Sequence, residues 1–307
     1  MQTTLKAPIR FSGVGLHSGK PANMVVRPAD ANHGVSFRRT DINIGNTVIP
    51  ARWDAVTPSQ LCTLLRNDAG VEVSTVEHIM AALAGCGVHN ALIEVDGPEV
   101  PILDGSSALF VQAILREGLI QQGIPVMAIE ILQPVEVADG LSVARLEPSE
   151  NLEIEFGIDF ADAAIGQQRK RLDMANGSFV RELCDSRTFC RQSDVDAMRA
   201  NGLALGGTLE NAVVVDGEKI LSPGGFRHED EAVRHKMLDA VGDLALAGAP
   251  ILGRYVGERS GHAMTNKLLR ALFANPAAYR IVTCDSEISR KLPGSGVRAA
   301  DLPAWAA

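Results

Sequence analysis

A short pattern occurs twice in this chain and limits the folds that it can adopt. Residues 78–80 (His-Ile-Met) with Gly85 and residues 235–237 (His-Lys-Met) with Gly242 share a histidine, a methionine two residues later and a glycine seven residues later. The copies lie 157 residues apart, about half of the 307-residue chain. One interpretation is a chance match between two amphipathic helices. The other is a chain of two similar α+β halves, each presenting one helix to a shared cleft.

The composition is that of a globular protein. Hydrophobic residues make up 46% of the chain and charged residues 21%, which excludes a disordered, collagen-like or coiled-coil protein. The length suggests two domains or one large one. The net charge is −8 and no basic stripe is present, so we expect no nucleic-acid partner.

The cysteines and the apolar segments indicate a compartment. The five cysteines are odd in number and form no CxxC pair, which argues against a secreted disulfide framework. We find no signal peptide at the start of the chain and no apolar run approaching the ~18 residues of a membrane helix. We therefore expect a cytoplasmic protein without a transmembrane segment.

Local patterns predict strands and helices in both halves. The alternation of apolar residues predicts strands at 22–28, 34–39, 90–95, 126–131 and 152–156, and helical spacing predicts helices near 75–86, 106–116, 177–183, 192–200 and 229–248. The segment 118–125 (GLIQQGIP) interrupts this pattern. We therefore expect a first α+β half at residues 1–124, a second at 125–292 and a loose C-terminal tail at 293–307.

The segment 234–244 places three polar side chains on one face of an otherwise apolar helix. His235, Asp239 and Asp243 are spaced four residues apart and so lie within about 80° on that face. A histidine and an aspartate at this spacing can bind one metal ion through a nitrogen and an oxygen. A salt-bridged surface face is the alternative.

Two further histidines extend this interpretation. Glu77 and His78 begin the other predicted helix, and adjacent helical residues diverge by about 100°. If His78 is a metal ligand, Glu77 can act as the general base that removes a proton from a metal-bound water. We expect His262, which follows a glycine, on a turn from which its ring reaches a cleft as an acid, a ligand or a surface residue. Two histidines and one carboxylate make an open three-ligand zinc site, so a zinc hydrolase is one candidate function.

Eight segments, in order along nearly the whole chain, resemble those of the UDP-3-O-acyl-N-acetylglucosamine deacetylases, the zinc amidases of the committed step of lipid A synthesis. The most specific are residues 74–85 (STVEHIMAALAG) and 233–244 (VRHKMLDAVGDL). The others are residues 14–19 (VGLHSG), 61–63 (LCT), 100–106 (VPILDGS), 186–189 (SRTF), 205–207 (LGG) and 260–263 (SGHA).

The resemblance implies a fold, a cofactor and catalytic roles. The fold is of the α+β class, with two similar two-layer α/β sandwich halves and the active site between them. The cofactor is Zn²⁺, bound by His78, His235 and Asp239. The catalytic roles are general base for Glu77, second acid/base or oxyanion partner for His262, orientation of His262 for Asp243 and contact with the oxyanion for Thr188.

The resemblance also implies how the substrate is held. The substrate is a small molecule, UDP-3-O-acyl-N-acetylglucosamine, and we expect a monomer to bind it. Lys236 matches a lysine near the diphosphate, and its place on the helix predicts a side chain about 100° away from the metal. The other implied contacts are Phe189 and Leu61 beside the sugar and the metal site, Asp159 and Phe160 at uridine, and Val195, Ala204, Gly207 and Val214 in an apolar passage for the acyl chain.

Two rival functions remain open. One is another zinc amidohydrolase, such as a peptidase or a different sugar deacetylase, although the HExxH motif of many zinc peptidases is absent. The other is a non-catalytic protein that binds sugar nucleotides or acyl chains. Binding alone requires neither Glu77 nor His262, so the presence of both favours catalysis.

Overall fold

The computed structural model describes residues 1–303, and its strands and helices confirm the α+β class. The first part of the chain forms, in order, β1 (Thr3–Leu5), β2 (Ile9–Val14), β3 (Pro21–Pro28), β4 (Val35–Arg39), β5 (Val48–Pro50), β6 (Val56–Thr57), β7 (Leu64–Arg66), β8 (Glu72–Ser74), α1 (Glu77–Gly85), β9 (Ala91–Val95), α2 (Ala108–Glu117) and β10 (Leu119–Gln121). The second part forms β11 (Met127–Ile131), β12 (Val135–Asp139), β13 (Ser142–Glu147), β14 (Leu152–Asp159), β15 (Gln167–Asp173), β16 (Phe189–Arg191), α3 (Gln192–Ala200), β17 (Val213–Asp216), β18 (Lys219–Ile220), α4 (Glu231–Ala245), β19 (Ile251–Glu258), α5 (His262–Phe273), β20 (Tyr279–Thr283) and α6 (Ser286–Lys291).

One plan of strand order and direction occurs twice. In the first sheet the order is β2-β3-β9-β4-β5, and only the β9–β4 pair is parallel. In the second part, β12-β13-β19-β14-β15 pair in the same succession, and among these four pairs only β19–β14 is parallel. In addition, β11 pairs parallel with β19 in the same sheet. The strands that begin and end each part also pair with each other: β1 pairs antiparallel with β10, and β11 pairs antiparallel with β20. We propose that residues 1–124 and 125–292 are two units built on this plan.

The central helices of the two parts pack directly on each other, and Gly242 explains why they can approach so closely. A Cβ atom at Gly242 of α4 would lie 2.0 Å from the backbone oxygen of Glu77 in α1. A Cβ atom at Gly85 would lie 2.0 Å from the ring of Phe179. Both distances are far below van der Waals contact, so neither position has room for a side chain.

Each part has an insertion before its central helix. In the first, β6, β7 and β8 form a small antiparallel sheet. In the second, a π-helical turn at Phe179–Leu183 is followed by α3 and by a three-stranded sheet of β16, β17 and β18. These insertions carry residues that reach the candidate site.

The segment between the two parts and the C-terminal tail both differ from the expectation. Within the interrupting segment 118–125, residues 119–121 form strand β10 and pair with β1. The expected loose tail is packed against the core within the described residues, where Val297 and Leu302 contact it and Arg181 lies 3.3 Å from Asp301. Burial of these apolar side chains opposes a loose conformation. Residues 304–307 of that tail lie outside the described residues.

No helix in residues 1–303 has the length and apolar character needed to cross a membrane.

Candidate metal centre and active site

Three buried side chains from α1 and α4 converge on one point. The Nε2 atoms of His78 and His235 lie 3.5 Å and 3.3 Å from Asp239 Oδ1. The three candidate ligand atoms all lie within 4.8 Å of one another. Asp239 Oδ1 is buried and has no hydrogen-bond partner among residues 1–303. A buried carboxylate oxygen is costly unless it is paired or binds a metal, so this group fits a metal ion.

The partners of these side chains favour the same use. His235 Nδ1 lies 3.0 Å from the carbonyl oxygen of Ser186, and a donated N–H there leaves Nε2 free as a ligand. Burial lowers the pKa of His235 to about 4, despite the opposing charge of Asp239, so the ring is neutral. Two imidazoles and one carboxylate are the ligand types of an open zinc site.

Glu77 begins α1 beside these residues and is buried. Its Oε1 lies 3.8 Å from His262 Nε2, and its Oε2 accepts a hydrogen bond from the backbone N–H of Thr63 at 3.0 Å. Burial raises the pKa of Glu77, although the nearby charges of His262 and His78 oppose this effect. A carboxylate whose pKa is raised toward neutrality is suited to accept a proton from water.

His262 faces Glu77 from the first residue of α5. We expected this histidine on a turn and did not predict the helix; the buried Leu268, Leu269 and Leu272 give α5 its apolar face. Its Nδ1 lies 2.8 Å from Asp243 Oδ2.

The charge of His262 follows from these neighbours. Burial disfavours its protonated ring, but the carboxylates of Asp243, Glu77 and Asp239 outweigh burial and raise the pKa to about 9. His262 is therefore a protonated acid near neutral pH.

The place of Lys236 on the helix had predicted a side chain that points away from the metal ligands. In the structure the side chain turns toward them instead. Its Nζ donates a hydrogen bond to Asp239 Oδ2 at 2.8 Å. The long side chain bends back to its neighbour three residues later on the helix, a common pairing distance. Burial of the ammonium group by itself lowers the pKa of Lys236. The negative charge of Asp239 opposes this effect, and the net result is a raised pKa. This contact leaves Asp239 Oδ1 free to face the two histidines.

Aromatic residues connect the metal-ligand group to the expected uridine contacts. The ring of Phe189 lies 6.2 Å from that of His235 and 5.4 Å from that of Phe160. The carboxylate of Asp159 forms an ion pair with Arg259. These contacts place Phe189 beside the candidate site and Phe160 beyond it.

Thr188 and Leu61 belong to the two parts of the chain, and each lies two residues from a residue of the site, Ser186 and Thr63 respectively. The N–H of Thr188 donates a hydrogen bond to the carbonyl of Gly105 at 2.8 Å, which connects the second part to the turn at 104–106. Leu61 is 40% exposed and lies two residues before Thr63. Its neighbour Cys62 is buried, and burial raises the pKa of that thiol to about 11, so the free thiol stays protonated near neutral pH.

The residues expected in the acyl passage lie in the insertion of the second part. Val195 belongs to α3 and Val214 to β17, and both are buried. Ala204 and Gly207 lie in the connecting loop, which meets the loop at 15–19 through backbone hydrogen bonds. The insertion is thus held against the first part of the chain.

Three further residues at the site were not identified from the sequence as site residues. The carbonyl of Ser186 accepts from His235, and Thr63 contacts both Glu77 and Asp243. Both ring nitrogens of His17 are buried and have no hydrogen-bond partner within residues 1–303. All three lie in segments that carried the family resemblance, which was the only signal for them in the sequence.

Comparisons with known proteins identify the family of this chain. A family model described as UDP-3-O-acyl N-acetylglycosamine deacetylase matches residues 2–274. The chain belongs to this deacetylase family. A UDP-3-O-acyl-N-acetylglucosamine deacetylase of Phenylobacterium zucineum is 50% identical over 288 residues, covering 94% of this chain and 98% of the relative.

Deacetylases of the same name from two Shewanella species are more distant. That of Shewanella sp. strain ANA-3 is 43% identical over 304 residues, covering 97% of this chain and 99% of the relative. That of Shewanella frigidimarina is 43% identical over 300 residues, covering 96% and 98%. The matched range, residues 2–274, spans the candidate metal ligands, Glu77, Asp243 and His262.

Proposed function

We propose that this chain hydrolyses the N-acetyl group of UDP-3-O-acyl-N-acetylglucosamine, the committed step of lipid A synthesis. The products are UDP-3-O-acyl-glucosamine and acetate. The observation that carries the proposal is the convergence of His78, His235 and Asp239 beside the Glu77–His262 pair. A chain that only bound a sugar nucleotide would need neither member of that pair.

The metal in this proposal is Zn²⁺. The three ligands offer two imidazole nitrogens and one carboxylate oxygen, and a fourth position is left for water or substrate. When bound, zinc polarises the amide carbonyl and lowers the pKa of water toward ~7. Lys236 holds the second oxygen of Asp239, so that carboxylate would offer Oδ1 to the metal.

Glu77 takes the first proton. Water loses a proton to the Glu77 carboxylate as its oxygen bonds to the amide carbon, and the carbonyl oxygen becomes an oxyanion. A base at this point contributes about 10²–10⁴-fold to such reactions. The Thr188 hydroxyl and the protonated His262 ring are the proposed donors to the oxyanion.

His262 supplies the proton for the leaving group. An amine anion is a very poor leaving group, so the nitrogen must be protonated as the carbon–nitrogen bond breaks. His262 holds that proton because Asp243 lies against its other ring nitrogen at 2.8 Å. The oxyanion re-forms a carbonyl as the carbon–nitrogen bond breaks, which releases acetic acid and the amine on the sugar. Acetic acid ionises to acetate, and the proton that Glu77 accepted returns to His262, which restores both side chains.

The rest of the substrate extends from this centre along two paths. Phe189 and Leu61 contact the sugar, and Lys236 supplies positive charge for the diphosphate. The remaining proposed contacts are Phe160 and Asp159 at uridine, and Val195, Ala204, Gly207 and Val214 along the acyl chain.

The proposed site is complete within one copy of the chain. Residues of a single chain supply every proposed ligand and proton carrier, which supports a functional monomer.

All five cysteines are free thiols. Free thiols persist in the reducing cytoplasm, where we propose that the reaction takes place.

An acetate-release assay tests the proposal. Zinc-loaded protein should release acetate from UDP-3-O-acyl-N-acetylglucosamine, lose this activity with a chelator and regain it with added Zn²⁺. Binding of the nucleotide sugar without acetate release would overturn the proposal in favour of a binding protein.

A further inference from the structure

Four residues close a ring of polar contacts beside the metal ligands, and the proposed reaction gives no role to one of them, Thr63. The Thr63 hydroxyl donates to Asp243 Oδ1 at 2.6 Å, and its backbone N–H donates to Glu77 Oε2 at 3.0 Å. Asp243 Oδ2 and Glu77 Oε1 lie 2.8 Å and 3.8 Å from the two ring nitrogens of His262. Each carboxylate thus uses one oxygen for Thr63 and turns the other toward His262.

The members of this ring come from four separate elements. Thr63 precedes β7 in the insertion of the first part, Glu77 begins α1, Asp243 lies in α4, and His262 begins α5. Thr63 therefore joins a carboxylate of the first part to a carboxylate of the second. The backbone carbonyl of Thr63 also accepts from the N–H of Val76, next to Glu77, at 3.5 Å.

Because Thr63 and its partners are buried, water cannot easily replace the hydrogen bonds between them. The residue is only 3% exposed, and Asp243 and Glu77 are each 4% exposed. Hydrogen bonds to a carboxylate are about twice as strong as those between neutral groups. With little water available as a substitute, loss of the hydroxyl would leave Asp243 Oδ1 without this donor.

We propose that Thr63 is a positioning residue of the deacetylation reaction. It fixes the rotation of the Asp243 carboxylate through its side chain and that of Glu77 through its backbone. As a result, the proton-accepting and proton-donating groups keep a constant separation while protons move. The proposal rests on the proposed function, and it also gives the insertion of the first part a role in the chemistry.

Thr63→Val removes the hydroxyl and keeps the shape of the side chain. We expect kcat to fall about 10- to 100-fold, the usual effect of losing a partner that orients an active-site ligand or acid. KM should change much less, because Thr63 is only 3% exposed and both of the hydrogen bonds it donates go to protein carboxylates. Thr63→Ser retains the donor and should recover most of the wild-type kcat.

The matched control is Thr4→Val. The Thr4 hydroxyl is also buried, and it donates to the carbonyl of Asn90 at 2.7 Å, away from the site residues. This variant should lose thermal stability and keep the wild-type kcat. Bound zinc and the unfolding midpoint are measured for every variant, so that loss of fold or of metal is separated from loss of positioning.

A double-mutant cycle with Asp243→Asn tests the route of the effect. If Thr63 acts by orienting the Asp243 carboxylate, Thr63→Val should lower kcat much less when that carboxylate is already absent. An equal loss in both backgrounds would overturn the proposal. So would wild-type kcat in a folded, zinc-loaded Thr63→Val protein.

Two outcomes need separate treatment. If Thr63→Val does not fold, Thr63→Ser and Thr63→Ala are compared, and equal kcat values for this pair would overturn the proposal. If the zinc-loaded wild-type protein releases no acetate, the proposed function itself fails. Wild-type activity with unaffected variants refutes only the role of Thr63.

Discussion

At the residue scale, two histidines a few ångströms from one aspartate differ in protonation. Burial lowers the pKa of His235 to about 4, which keeps the ring neutral and able to bind a metal. At His262, three carboxylates overcome burial and raise the pKa to about 9. The same side chain can therefore be a ligand at one position and an acid at the other, because the neighbouring charges differ.

Glu77→Gln should separate the base from the metal site. The substituted amide keeps the size of the side chain but cannot accept a proton, so we expect kcat to fall about 10²–10⁴-fold. Bound zinc should stay near one per chain, since Glu77 is not one of the three ligands. Metal analysis and steady-state kinetics measure both quantities. A Glu72→Gln protein is the control, and unchanged turnover in Glu77→Gln would assign the proton to another group.

Asp243→Asn should shift the pH dependence of kcat/KM. His262 acts when protonated, so activity falls as the pH rises through its pKa of about 9. Loss of the Asp243 charge lowers that pKa, and the basic limb should move to lower pH. The control is Asp139→Asn, which removes a carboxylate of an exposed ion pair with Lys267. A basic limb that stayed in place in Asp243→Asn would mean that His262 does not set it.

At the element scale, the site depends on the contact between α1 and α4. His78 enters from one helix, and His235 and Asp239 from the other. Gly242 allows the helix backbones to approach closely enough for these side chains to meet. The contact between the helices is therefore a condition for metal binding as well as for packing.

Gly242→Ala should disrupt this contact. Alanine normally favours a helix over glycine by about 1 kcal/mol. Here its Cβ would meet the Glu77 backbone, and overpacking of this kind costs about 1–3 kcal/mol or more. We expect a lower unfolding midpoint together with a lower kcat, because Glu77 would be displaced. Gly97→Ala is the control, since its nearest neighbour would lie 3.9 Å away; equal behaviour of the two variants would contradict the close approach.

At the scale of the whole molecule, the candidate metal ligands connect the two parts of the chain. His78 comes from the first, and His235 and Asp239 from the second. A ligand that binds only the folded state stabilises it, by about 2.7 kcal/mol at a concentration of 100 Kd. A metal at this position would thus stabilise the packing of the two parts.

Removal of the metal should therefore lower the unfolding temperature of the whole protein. A chelator should shift the calorimetric midpoint of the wild-type protein downward, and added Zn²⁺ should restore it. His78→Ala should bind little zinc, and its midpoint should respond much less to the chelator. Full zinc occupancy in His78→Ala would refute the ligand assignment, and an unchanged wild-type midpoint would show that the metal contributes little to stability.

Several parts of this protein were predictable because they depend on local periodicity. The spacing of His235, Asp239 and Asp243 places them on one helix face whatever surrounds the helix. The helices at Glu77–Gly85 and Glu231–Ala245 were expected to within two or three residues. The α5 helix was missed, because the strand before it and the glycine before His262 suggested a turn.

The sequence by itself determined the residue types, the helix faces and the family resemblance, since these are properties of neighbours along the chain. Only the tertiary structure decided that the Lys236 side chain turns back to Asp239 and that Thr63 joins Glu77 to Asp243. Thr63 and Asp243 are 180 residues apart, and no local periodicity relates them. Their contact results from the packing of α1 against α4, in which a glycine without a side chain allows two backbones to meet.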